Sequence, residues 1–154
     1  MKSHLIRLLL LAALAVTAQA NPDFAGRWRL DPALSTALDG WQKMDLVVAL
    51  ADTRIALTHD MTWRSTKLQA TNTFDTAGAV EMRDFFRVEQ RHMAVYPAKN
   101  GITRATATWL DGSRTLRTEA VTPVEVSQGE VLMRITSEYR LGETGDLLTV
   151  IELH

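Results

Sequence analysis

His59 is the side chain best suited to chemistry near neutral pH, because an imidazole takes or gives a proton in that range. It lies in Arg54 to Trp63, where Ile55, Leu57, His59, Met61 and Trp63 alternate with Arg54, Ala56, Thr58, Asp60 and Thr62. On the apolar side of such a segment an imidazole has three uses. It orients a ligand, acts as a general base, or is a core histidine satisfied by a backbone carbonyl or a neighbouring side chain. Asp84 poses a related choice, since it falls in phase with Val80, Met82, Phe86 and Val88. A carboxylate is costly to bury unless it is paired. Either Asp84 faces His59 or an arginine inside a cavity, or a bulge around Asp84-Phe85-Phe86 turns Phe85 inward and Asp84 out.

Trp63, Trp109, Met61, Met133 and Tyr139 supply the walls an apolar pocket needs, with a few polar groups to fix orientation. The expected ligand-binding set is therefore His59, Met61, Trp63, Asp84, Trp109 and Tyr139. The same residues equally suit the filled interior of a small barrel. His92, Glu89 and Asp60 lack the spacing of a zinc or calcium motif, so no metal is expected. Gly-x-Ser-x-Gly, His-Glu-x-x-His and a phosphate-cradling Gly-rich loop are all missing from the sequence, so no catalytic residue and no cofactor is assigned. Arg27, Arg29, Arg83 and Arg87 are expected on solvent-facing strand sides, where charge discourages edge-to-edge association.

The elements that must position these side chains have period two. Met44, Leu46, Val48 and Leu50 share a face with the same phase as the His59 segment, and Ala51-Asp52-Thr53 between the two runs predicts a tight hairpin. Thr66 to Phe74, Val80 to Val88, Ala105 to Trp109, Arg114 to Val121, Val131 to Leu141 and Asp146 to Leu153 continue the rhythm. Asp111-Gly112 is a dipeptide favoured in two-residue hairpin turns. The sequence thus predicts an all-β chain, an antiparallel up-and-down β-barrel of roughly eight to ten strands. One short N-terminal helix is expected, with Asp31 as cap, Pro32 at the first position and Gly40 at the end.

The first twenty residues have the plan of a secretory signal: Lys2 and Arg7, an apolar run from Leu8 to Val16, and Ala18-Gln19-Ala20 before the cleavage site. The apolar run is about half the ~20 residues a membrane span needs. Cleavage after Ala20 gives a domain of residues 21–154, with a net charge of −3 against −1 for the whole sequence. That mild acidity argues against a nucleic-acid partner, which calls for a basic stripe. The sequence contains no cysteine, so neither a disulfide framework nor thiol chemistry is available. An exported chain without disulfides fits a bacterial periplasm or cell exterior best. No transmembrane segment is expected after cleavage.

Phe24-x-Gly26-x-Trp28-x-Leu30-Asp31-Pro32-x-x-Ser35 resembles the opening of small secreted bacterial lipocalin-like proteins of the calycin type. The resemblance implies a barrel closed at one end by a short helix, with a ligand cavity opening at the other. It also implies a late arginine packed over the first-strand Trp28, for which Arg134 and Arg140 are the candidates. The lipocalin Thr-Asp-Tyr loop motif is missing. Independently of the family, Gly26 lets the strand bend or a neighbouring backbone approach. Trp28 covers one end of the core and needs a partner for its indole N–H.

Three functions follow as expectations. The first is an exported lipocalin-like protein that binds a small hydrophobic ligand in the barrel interior. The second is a non-enzymatic interaction module with a filled interior and an envelope protein as partner. The third is a small barrel enzyme using His59 and Asp84.

Overall fold

The computed structural model describes residues 19–36, 41–88 and 94–154. A single turn of 3₁₀ helix, Pro22–Phe24, precedes ten strands: β1 (Gly26–Arg29), β2 (Lys43–Ala51), β3 (Arg54–Trp63), β4 (Thr66–Asp75), β5 (Val80–Met82), β6 (Tyr96–Pro97), β7 (Thr103–Leu110), β8 (Thr115–Val126), β9 (Gly129–Leu141) and β10 (Leu148–Leu153). Every ladder is antiparallel. The strands form a four-stranded sheet in the order β1-β2-β3-β4 and a second sheet in the order β10-β9-β8-β7-β5, with β6 beside β8.

Alternation explains the strands as expected. In β3 Ile55, Leu57 and Met61 are buried while Arg54 is exposed, and in β7 Thr103, Ala105, Ala107 and Trp109 are buried between exposed neighbours. The β2–β3 hairpin closes through Asp52-Thr53, with Ala51 opposite Arg54 and Asp52 at φ +53°. Asp is among the few residues that take this conformation readily. The Asp111-Gly112 turn is longer than expected. Leu110 pairs with Thr115, so four residues connect the strands, and Asp111, Gly112 and Ser113 all have positive φ. The Asp111 carboxylate accepts from Thr115 Oγ1 at 2.9 Å and braces the turn.

The core lies between the two sheets. Leu46 and Val48, Ile55 and Leu57, and Phe74 meet Trp109, Leu116, Ala120, Ile135, Tyr139 and Leu141. Phe24 is fully buried beneath the first turn and meets Trp109 edge-on, with ring centroids 4.9 Å apart. Trp28 packs against this cluster, and its indole N–H donates to the Phe24 carbonyl at 2.9 Å. Gly26 has φ +138° with open space where a Cβ would stand, so conformation and not close approach demands glycine there. On the outer face of the first sheet Arg27 bridges Asp45 and Asp60, at 2.8 and 2.9 Å, two carboxylates that register places directly opposite each other.

Three expectations need correction. No closed barrel is found among the described residues, where no ladder joins β4 to β5 or β1 to β10. β4 lies against β5 and β7, but β5 pairs with β7 alone. The helix over Asp31–Gly40 is not formed in its described part. Asp31 does cap, accepting from the Ala33 N–H at 2.9 Å, but residues 32–34 only turn; residues 37–40 lie outside the described part. Neither Arg134 nor Arg140 covers Trp28. Both stand on the face of β9 opposite its core residues, and Arg140 pairs there with Glu138. No helix among the described residues is long and apolar enough to cross a membrane.

Candidate functional site

The Val80–Val88 run leaves its ladder after Met82, and this departure builds the site. Asn72, buried on β4, donates from Nδ2 to the Phe86 carbonyl at 2.7 Å and accepts the Phe86 N–H on Oδ1 at 2.9 Å. One side-chain amide thus satisfies both backbone groups of Phe86, as a neighbouring strand would. The shift in phase turns Asp84 out to solvent, leaves Phe85 packed against the core, and buries Arg87, which is only 6% exposed. Asp84 is therefore outside the candidate site, and Arg87 is not a solvent-facing charge.

Between this segment and the sheets lies a cavity of about 20 Å3, room for roughly one water molecule. His59 from β3, Asn72 from β4, Arg87, Ser137 and Tyr139 from β9 and Glu152 from β10 give its wall polar groups, while Phe74, Phe85, Phe86 and Ile135 supply apolar surface. Of the six expected residues the structure brings only His59 and Tyr139 to this cavity. Met61 is fully buried elsewhere on the same face of β3, Trp109 is committed to the core against Phe24, and Trp63 closes β3 with the Arg64 guanidinium 5.3 Å from its ring.

His59 faces Phe86, with ring centroids 5.1 Å apart, and its Nδ1 is buried without a hydrogen-bond partner. Nδ1 is thus the ring nitrogen left without a partner. Burial pushes its pKa down to about 4, so the ring is neutral at pH 7. A general base works best with a pKa near the operating pH, and Asp84 is not at hand to raise it. Tyr139 is held protonated, its pKa raised first by burial and then by the Glu152 carboxylate. Glu152 accepts from Ser137 Oγ at 3.0 Å and lies 3.3 Å from His154 Nε2.

Arg87 donates through Nη2 to the Val95 carbonyl at 2.5 Å, while Nε and Nη1 are buried and without acceptors. Sequence reading missed this residue, although the bulge at Asp84-Phe85-Phe86 carried the signal. A phase that turns Phe85 inward also turns Arg87 inward. Among the described residues no cluster of histidines and carboxylates is arranged to hold a metal ion; Glu89 and His92 lie outside them.

No family model, curated protein or solved structure matches this chain.

Proposed function

We propose that this protein is an exported, non-catalytic docking domain, an opened lipocalin-like barrel whose envelope partner adds an extended strand to β10. The observation that carries the reading is the edge of the second sheet. Among the described residues β10 pairs with β9 alone, and Val150, Ile151 and Leu153 are 47%, 39% and 65% exposed. Glu152 is the one charged side chain in the strand. β1, one edge of the other sheet, carries Arg27 and Arg29 in four residues. Edge strands without such charges are templates for pairing. A partner strand would gain main-chain hydrogen bonds and place apolar side chains against Ile151 and Leu153 on one face and Val150 on the other.

The interior supports the same reading. Small-molecule pockets run to about 300 Å3 or more, and the cavity here has about 20 Å3. Binding of a small hydrophobic ligand keeps one observation in its favour, the convergence of His59 and Tyr139 on that cavity. Fatty acids or hydrophobic dyes that change tryptophan emission with a saturable profile would favour it over docking.

The signal-like segment supports export, to the periplasm or outside the cell. Ser113 Oγ donates to the Gln19 carbonyl at 2.6 Å, and Ala20 packs against the core. Cleavage after Ala20 removes both contacts. The docking test is a photoreactive residue in place of Ile151, expressed in cells, with Arg104 on the outer face of β7 as the control position. Cross-linking of one envelope protein from Ile151 alone, abolished by Leu153→Lys, is the expected result. Equal capture from both positions would count against the reading.

A further inference from the structure

Residues 83–88 close over the core with few bonds of their own. Beyond Met82 they join no ladder among the described residues, and β4 holds them through the Asn72 side chain, bonded to both backbone groups of Phe86. Arg87 adds one bond, to the Val95 carbonyl farther along the same connection. Closure also seals three polar atoms away from water without giving them partners: Arg87 Nε, Arg87 Nη1 and His59 Nδ1. A buried polar group left unpaired carries its full desolvation penalty, and a charged one carries more. Opening the segment hydrates all three, which offsets part of the burial lost by Phe85 and Phe86. A segment with few bonds and such an offset opens locally, at less cost than global unfolding.

We propose that residues 83–88 form an acid-sensitive strap, which lifts from β3 and β4 when His59 becomes protonated. His59 faces it, with its ring centroid 5.1 Å from that of Phe86. In the closed strap an imidazolium would be buried with no acceptor at Nδ1, and it would share one cavity wall with the Arg87 guanidinium. Two like charges in a poorly solvated space repel strongly. The other titratable groups on that wall are Tyr139 of β9, held protonated by burial, and Glu152 of β10, which accepts from Ser137 and lies beside His154. β2 and β4 place Leu46 and Ala70 opposite His59, and neither carries charge. Burial alone holds the imidazole at a pKa of about 4, so Glu152 does not compensate. In the open strap the ring meets water and returns toward its ordinary value of 6.5. The difference favours opening by about twentyfold between pH 7 and pH 5. The inference does not depend on strand docking at β10.

The test is amide hydrogen exchange of the full chain at pH 7 and pH 5, each with and without a low concentration of urea, read as protection factors. The Phe86 amide, which donates to Asn72, reports the strap, and the best-protected amides of β8 and β9 report global unfolding. Phe86 should be less protected than those amides and nearly indifferent to low urea, and its protection should fall about twentyfold from pH 7 to pH 5. His59→Gln should remove that pH dependence at Phe86. Phe86 protection that matches β8 and β9 in size and in urea slope would overturn the proposal, because the segment would then open only with the whole domain. So would equal protection at the two pH values, or the same fall in His59→Gln. Should that variant fail to fold, the urea and pH comparisons in the wild-type chain decide by themselves.

Discussion

His59 shows how environment decides what a residue can do. Its sequence position offers an imidazole for chemistry, yet burial holds it neutral, with a pKa of about 4. The folded value lies below the unfolded value near 6.5, so the unfolded state takes up the proton first on acidification. Stability is then full above about pH 6.5 and falls as pH drops toward 4. About 2 kcal/mol should be lost between pH 6.5 and 5. Urea denaturation across this window checks the sign, and His59→Gln should flatten the profile; an equal slope in both proteins would refute the assignment. The carboxylates held below their usual range, among them Asp45 by Arg27 and Glu138 by Arg117, contribute stability that is lost only at lower pH. At the other end of the core, Trp28→Phe keeps a ring but removes the hydrogen bond to Phe24. It should cost about 1 kcal/mol, read from the same denaturation curves. Gly26→Ala, at φ +138°, should cost at least as much.

At the scale of elements, the segment after β5 depends on one amide. Asn72→Ala removes both bonds to the Phe86 backbone and should destabilise the protein by about 1–3 kcal/mol. Hydrogen exchange should report it locally: the Phe86 amide speeds up while β8 and β9 amides change only with global stability. The strands on either side were legible in the sequence. β3 runs over the same residues that strict alternation marks out, and β2, β4, β7, β8 and β9 follow the same rule because one face of each meets the core. The segment after Met82 was not legible, because its backbone groups pair with a side chain on another strand and periodicity carries no record of that. The site suffered most from this. Arg87 and Asn72 became central through a phase shift and a long-range bond, while Asp84, in phase on paper, turned to solvent. Sheet closure was illegible for a similar reason. Alternation states which face is buried and is silent on whether the first and last strands meet.

The described residues form two antiparallel sheets with a shared apolar core; the β1 edge carries two arginines, whereas the β10 edge has one charged side chain, Glu152. Phe24 ties the N-terminal turn to Trp109 across that interior, and Phe24→Ala should cost about 3–5 kcal/mol. A charge at an exposed position of the β10 edge, such as Ile151→Lys, should leave the midpoint of unfolding within about 0.5 kcal/mol of wild type while abolishing association. On the proposed reading stability and binding separate by position: the interior holds the fold, and β10 is the edge proposed to pair. The most direct test is amide hydrogen exchange over Leu148–Leu153, with and without the envelope protein captured at Ile151. Slowed exchange concentrated in β10 is the predicted result. Unchanged exchange in β10, or protection centred on another face of the domain, would contradict docking by strand addition.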